Sequence, residues 1–219
     1  MPALPKSLFH LGARLLTARA AGRLRKPHTA VPAQERIRRD LLGKMAATSG
    51  GKAVGIEKGM DYDTFRRRVP PRAYESFVPA IERMKRGDAD VLWPGQCNLY
   101  AVSSGTTAGR TKYLPITGEM LRHFRQTGLD SLLYYTTRVG RASVFRGRHL
   151  FLGGSTSLAP IDPSDPFAAY GGDLSGIAAL NLPSWVEHHL DEPGTEIAQI
   201  ADWPAKLAAI VARTWNRDI

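Results

Sequence analysis

The sequence predicts an α/β layer fold, and three features carry that prediction. Apolar residues recur at helical spacing in several segments, two short runs rich in bulky and β-branched residues read as strands, and those runs alternate with the helices. A chain of 219 residues with 43% apolar content also holds enough material for one substantial core. No run of about 18 or more apolar residues occurs, so no membrane-spanning helix is expected.

Residues 1–33 read as a basic leading helical segment, ending in KPHTAVPA, and the main body is placed at residues 34–219. The leading segment lacks an uninterrupted apolar stretch followed by a small-residue cleavage site, so secretion is not expected. In QERIRRDLLGKMAA, Ile37, Leu41, Leu42 and Met45 recur at helical spacing, and the glycine-containing segment SGGKAVGIEKG ends that helix. Asp63 is the expected cap of TFRRRVP, which Pro70 and Pro71 break. YESFVPAIERMKRG carries Phe77, Ile81 and Met84 on one face, with Gly87 as its C-terminal stop. NLYAVSS is a strand of roughly five residues. It runs into the loop SSGTTAGRTK, after which a helix is expected. Thr117 would cap that helix, Glu119 sits in its positive first turn, and Leu121, Phe124, Leu132 and Tyr135 give it an apolar stripe through about residue 136. HLFLGGSTS reads as a second buried strand. Residues 161–195, rich in Pro, Gly and Asp, read as loops and short elements. Asp202 caps the last helix, Pro204 lies in its first turn, and Leu207, Ile210, Val211 and Trp215 form its apolar face.

The net charge of +10 raises the question of nucleic-acid binding, since clustered Lys and Arg bind phosphate backbones by releasing counterions. Residues 1–72 hold 16 Lys and Arg against 5 Asp and Glu, whereas residues 73–219 hold 14 against 15. The excess falls on helix faces such as Arg36, Arg38, Arg39 and Lys44 and on the run Arg66, Arg67, Arg68, with no interleaved aromatic platform for bases. Solvated helix surface accounts for it, and neither a nucleic-acid partner nor a membrane is expected. The single Cys97 can form no internal disulfide and no thiolate metal site, which fits a reducing cytoplasm. His188 and His189 are adjacent and are read as surface loop rather than shared metal ligands, and Asp162, Asp165 and Asp173 as turn formers.

The chemistry concentrates in the loop from Ser103 to Lys112. A polyphosphate needs many hydrogen-bond donors, compensating positive charge and close approach by backbone amides. Gly105 and Gly109 permit that approach, the hydroxyls of Ser103, Ser104, Thr106 and Thr107 can donate to phosphoryl oxygens, and Lys112 adds a flexible point charge. A Walker-type loop is excluded by spacing, because Gly105 is followed five positions later by Arg110, and no Gly-x-Gly-x-x-Gly fingerprint occurs.

SSGTTAGRTKYLPIT resembles the phosphate-binding motif of the acyl-adenylate-forming superfamily. Its context, from QERIRRDLLGKM through FRRRVPPRAYESFVPAIERMKRGDADVLWPG to FLGGSTSLAP, GGDLSGIAALNLPSW and DWPAKLAAIVARTWNRDI, is similar to the auxin-responsive acyl acid-amido synthetases over about residues 34–219. Gly109-Arg110-Thr111-Lys112-Tyr113, where other branches commonly have Gly-x-Pro-Lys-Gly, favours this branch over the acyl-CoA ligases. The resemblance implies the N-terminal part of the large adenylate-forming domain, an incomplete mixed sheet with flanking helices. It also implies an ATP-dependent ligase of a small-molecule carboxylic acid and an amino acid, with Mg2+ as a second source of positive charge. A substrate carboxylate attacks the α-phosphate of ATP, pyrophosphate leaves, and an amine then forms the amide. Ser103, Ser104, Gly105, Thr106, Thr107, Gly109 and Lys112 would hold the phosphates, Lys112 acting catalytically on charge that builds on the leaving pyrophosphate. The helix after the loop could line an acyl pocket, although core packing accounts for most of its apolar residues.

The family is more than twice this length, and its adenine, ribose and metal-binding segments resemble nothing in the chain, so residues for those groups are expected beyond residue 219. Pyrophosphate exchange by this chain alone is accordingly expected to be undetectable; robust carboxylate-dependent exchange would be the contrary result. Two other classes fit the residues: a basic nucleic-acid-binding module, which would show steep salt-dependent affinity for arbitrary duplex, and an inactive remnant that binds ATP or a partner.

Overall fold

The computed structural model describes residues 6–103 and 111–219. The helices are α1 (Lys6–Leu24), α2 (Ala30–Ala46), α3 (Ser49–Ala53), α4 (Tyr62–Arg68), α5 (Val78–Lys85), α6 (Gly118–Val139), α7 (Leu174–Leu180), α8 (Ser184–His189), α9 (Thr195–Ala198) and α10 (Trp203–Thr214). The strands are β1 (Leu99–Ser103), β2 (Lys112–Pro115), β3 (His149–Leu150), β4 (Ala159–Pro160), β5 (Tyr170–Gly172) and β6 (Asp191–Glu192). Among the described residues no helix is long and apolar enough to cross a membrane. The chain divides into two compact units, one of His28–Thr117 with Ala159–Gly171 and the other of Met1–Pro27, Gly118–Leu158 and Gly172–Ile219.

The first unit is built on a four-stranded sheet of order β2-β1-β5-β4, with β1–β2 and β4–β5 antiparallel. Its core joins Tyr100, Met84, Val91, Ile81, Cys97 and Ala169, all under 5% exposed. Tyr100 sits at 0% exposure because its hydroxyl donates to the Cys97 carbonyl at 2.9 Å, so the buried oxygen is satisfied. Burial raises both the Tyr100 phenol and the Cys97 thiol above their ordinary pKa values and keeps both neutral. Gly87, just past α5, adopts φ +89°, and a Cβ there would lie 2.7 Å from the Phe167 ring. Gly87→Ala is therefore expected to destabilise the chain by about 1–2 kcal/mol, from left-handed strain plus ring displacement, read as a shifted denaturant midpoint. A second cluster, Leu42, Ile56 and Met60, packs under Met45 and Phe65.

Two expectations are corrected here. α4 starts one residue before Asp63, and Asp61 is its cap, accepting from the Thr64 amide at 2.8 Å. The expected helix does not follow the loop directly: Lys112–Pro115 is a strand, registered so that Ser103 faces Lys112 and Ala101 faces Leu114. Four residues of strand gain their hydrogen bonds from β1, a tertiary partner that local propensity does not contain.

In the second unit α6 packs on α1 through Leu133, Ala13 and Ala20, joined by Phe145 and Leu190. Thr17 and Thr136 share a 3.0 Å hydrogen bond, and Arg23 pairs with Asp130 at 2.8 Å. The buried stripe of α6 is thus Leu121, Leu133 and Thr136, whereas Phe124 and Tyr135 are exposed. The run HLFLGGSTS is a strand over two residues only, paired in parallel with β6, and Leu150, Phe151 and Leu152 are exposed, so the expected buried strand is not formed. Its continuation, residues 153–157, is instead clamped by α7: the Ser175 hydroxyl accepts from the Gly154 amide at 2.8 Å, and Gly176 lies so close to the Ser155 carbonyl that no Cβ fits. Asp173 caps α7 through the Ser175 and Gly176 amides, and the Ser175 hydroxyl, which donates to the same carboxylate, does most to hold its carboxyl below the ordinary range. A depressed carboxyl contributes its stability above the unfolded pKa and loses it as pH falls through the folded one. Asp173→Ala should cost about 1 kcal/mol at neutral pH and progressively less below about pH 4, measured by denaturation at both.

α10 is capped by Asp202, as expected, with Pro204 in its first turn. Its buried residues are Lys206 and Ile210, while Leu207, Val211 and Trp215 are exposed. The row expected in the core lies mostly outside it, because Lys206 turns inward to bond main-chain carbonyls. Below it Glu192, at 0% exposure, is ringed by Arg148, Arg213 and Arg217.

Candidate functional site

Of the residues expected to hold phosphates, Ser103 and Lys112 are described; Ser104, Gly105, Thr106, Thr107 and Gly109 lie outside the described residues. Ser103 is the exposed last residue of β1 and Lys112 the first of β2, and the sheet register sets them opposite each other. The loop is therefore bracketed by two antiparallel strands, which bring its ends together. Adjacent strands lie about 4.8 Å apart, so a hydroxyl and an ammonium are presented at one sheet end.

Two residues that sequence reasoning missed flank Lys112. Its ammonium lies 5.3 Å from the centre of the Tyr74 ring and 3.8 Å from Glu75 Oε1, with its side chain 40% exposed. The Tyr74 hydroxyl accepts from the Tyr113 amide at 2.8 Å and donates to the Tyr113 carbonyl at 3.2 Å, which pins the start of β2 to the segment before α5. Lys85 stands over the Tyr113 ring at 4.4 Å. No signal near the loop pointed to Tyr74 or Glu75, which lie 38 and 37 positions before Lys112 in the chain.

This arrangement leaves Lys112 available. A half-exposed ion pair at 3.8 Å is worth about 0–1 kcal/mol, and a cation over an exposed ring about as much. An ammonium and a hydroxyl are donors of the kind that phosphate oxygens accept from. Among the described residues no group of three or more His, Cys, Asp and Glu could hold a metal. Mg2+, which keeps most of its water and binds through phosphates, does not require such a group.

The other singled-out residues take structural roles. His188 and His189 end α8 instead of occupying a loop, and their rings meet edge to face at 4.8 Å. Asp162 accepts from the Ser164 amide and Asp165 from the Phe167 amide, both within turns. Several cations of the basic N-terminal third are paired locally: Arg38 with Glu35, Lys44 with Asp40 and Arg68 with Glu57.

Comparison with known proteins supplies the context of this loop. A jasmonoyl–L-amino acid synthetase of Nicotiana attenuata is 27% identical over 152 residues, covering 67% of this chain and 24% of that protein. The indole-3-acetic acid-amido synthetase GH3.8 of Oryza sativa subsp. indica is 34% identical over 119 residues, covering 54% of the chain and 19% of that protein. The chain thus spans about a quarter or less of the length of these relatives. Among solved structures, a GH3.15 acyl acid amido synthetase superposes with a TM-score of 0.63 at 20% identity, over 83% of this chain and 31% of that one. That likeness shows the fold: a mixed α/β arrangement of sheet and flanking helices. The family model for the GH3 family N-terminal domain matches residues 25–219, most of the chain, and the chain therefore belongs to the GH3 family.

Proposed function

We propose that this chain supplies the phosphate-holding part of an ATP-dependent acyl acid-amido synthetase. One observation carries the reading: the loop leaves β1 at Ser103 and returns at Lys112 on β2, so that a hydroxyl and a lightly held ammonium meet at one sheet end in a chain of the GH3 family. ATP would supply the adenylyl group that activates the carboxylate, with pyrophosphate as the group that leaves. Lys112 orients phosphate oxygens and stabilises the charge that gathers on them, Ser103 adds a donor, and the Tyr74–Tyr113 bonds keep β2 still while this happens. Relatives named for jasmonoyl and indole-3-acetic acid conjugation support an acyl acid and an amino acid as the joined substrates.

The test is a chimera in which residues 103–112 of this chain replace the corresponding loop of the rice GH3.8 synthetase. Carboxylate-dependent exchange of pyrophosphate into ATP should persist. A folded chimera that binds ATP no better than one carrying a Gly-Ser linker would overturn the reading. Salt titration of duplex binding by this chain separates the nucleic-acid reading, which alone expects a steep slope.

A further inference from the structure

Helix α1 packs against α6 with its small side chains and leaves its large ones outside. Ala13 and Ala20, 6% and 0% exposed, join Leu133 of α6 in one cluster, and Thr17 between them shares its hydrogen bond with Thr136. Leu11 and Leu15, by contrast, are 55% and 58% exposed. A helix that served only the core of its own unit would bury the leucines and show the alanines. Leu11, Leu15 and Ala18 follow at i, i+4 and i+7, so the advance of about 100° per residue aligns them in one stripe, turned away from Ala13 and Ala20. Ala18 is exposed as well, which leaves the stripe open to solvent along its length.

The charge around the stripe is of one sign. Arg14 falls along one side of it and Arg19 along the other, and Arg25 stands just past the helix end. All three are exposed, and none has an ion-pair partner among the described residues, whereas Arg23 is paired with Asp130. Residues 1–34 contain six Lys and Arg and no Asp or Glu, so no carboxylate near in sequence offsets them. The match to the family model begins at residue 25, which places the stripe in a part of this chain outside that match.

These features discriminate between occupants. A second copy of the same face would set arginines against arginines. A nucleic-acid backbone would satisfy the arginines and find no use for two leucines, and the stripe carries no aromatic ring for a base. A narrow apolar stripe on a convex helix, bordered by cations on both sides, fits a plane that is apolar within and anionic at its surface. We propose that α1 docks reversibly along the surface of an anionic lipid bilayer, Leu11 and Leu15 entering the acyl boundary and Arg14, Arg19 and Arg25 lying at the charged headgroups. Charge alone gave no reason to expect a membrane partner; the placement of exposed leucines among those charges does. Such docking is independent of the ligase chemistry.

Flotation of the 219-residue chain with lipid vesicles, at about 0.1 M salt, measures the docking. Vesicles of equimolar phosphatidylcholine and phosphatidylserine should bind the chain at least about 10-fold better than phosphatidylcholine alone, since each arginine at an anionic surface contributes about fivefold. Leu11→Ser combined with Leu15→Ser should weaken binding to the mixed vesicles by about 10-fold or more with an unchanged circular dichroism spectrum, both side chains being exposed. Should that double variant fail to fold, Ala18→Asp sets a carboxylate in the stripe and should weaken the same binding about fivefold or more. No preference for the mixed vesicles overturns the proposal. Undiminished binding by the stripe variants also overturns it, because arginines acting as a polycation need no leucines. Tighter binding to arbitrary duplex than to the mixed vesicles, indifferent to Leu11 and Leu15, makes the partner a nucleic acid and has the same consequence. Because no nucleotide is present, failure of the chimera leaves this expectation intact.

Discussion

Replacing Lys112 by alanine is expected to lower carboxylate-dependent pyrophosphate exchange by about 10²–10³-fold in the GH3.8 chimera, the usual cost of removing one preorganised group aimed at developing charge. The magnitude follows from a difference between states. Among the described residues the ammonium meets an exposed carboxylate at 3.8 Å and the face of a tyrosine ring, together worth about 1 kcal/mol. Against a leaving pyrophosphate the same point charge acts at close range where negative charge is growing. Only the second interaction enters the rate. The loss should therefore appear mainly in kcat. Glu75→Gln should leave exchange within about twofold, since the pair it breaks is weak. Lys112→Arg should recover only part of the activity, because a planar fork cannot sit where a compact ammonium does. Folding should survive all three, the Lys112 side chain being 40% exposed. Near-normal exchange by the alanine variant would remove the phosphate assignment.

The parts of this fold legible in the sequence are those whose cause is local. β1 was readable from its bulky and branched residues, and α10 from Asp202 and Pro204, since capping is settled within one turn. β2 was not, because Thr117 and Glu119 announce a helix so strongly that four residues of KYLP before it look like its approach, and their pairing to β1 runs around the loop. Burial failed for a related reason. Leu207, Val211 and Trp215 look like a core row by hydrophobicity, yet the residue turned inward is Lys206, drawn by the bare carbonyls of Gly153 and Gly154. A pattern of apolar side chains carries no information about unsatisfied main-chain acceptors on a distant segment. The candidate site divides the same way. Ser103 and Lys112 stand within one motif, whereas Tyr74 and Glu75 reach Lys112 only through the sheet.

Glu192→Ala is expected to destabilise the chain by about 2–3 kcal/mol, the largest single effect on stability foreseen among the described residues. Glu192 has no exposed surface, and three guanidiniums converge on it: Arg213 Nε at 2.7 Å from Oε2, and Arg148 and Arg217 Nε at 3.3 and 3.5 Å from Oε1. Its hydrogen bond with Arg213 holds that guanidinium's pKa above the ordinary value. Arg148 also donates to the carbonyls of Asp191 and His188, so one carboxylate ties α10 and the residues after it to β3, β6 and the end of α8. Removing one partner of a buried pair costs about 3–5 kcal/mol, and the figure is lowered here because the arginines are 27–42% exposed and regain water. Oε1 accepts no hydrogen bond from either nearby guanidinium, so its hold on Arg148 and Arg217 is charge rather than direction. Glu192→Gln keeps the shape and loses the charge; it should recover less than half of the deficit, and added salt should soften the wild-type advantage. Urea denaturation of the three proteins decides the matter: an alanine variant within about 0.5 kcal/mol of wild type would show that the arginines are content with solvent and that the helix is held by Ile210 and Lys206 alone.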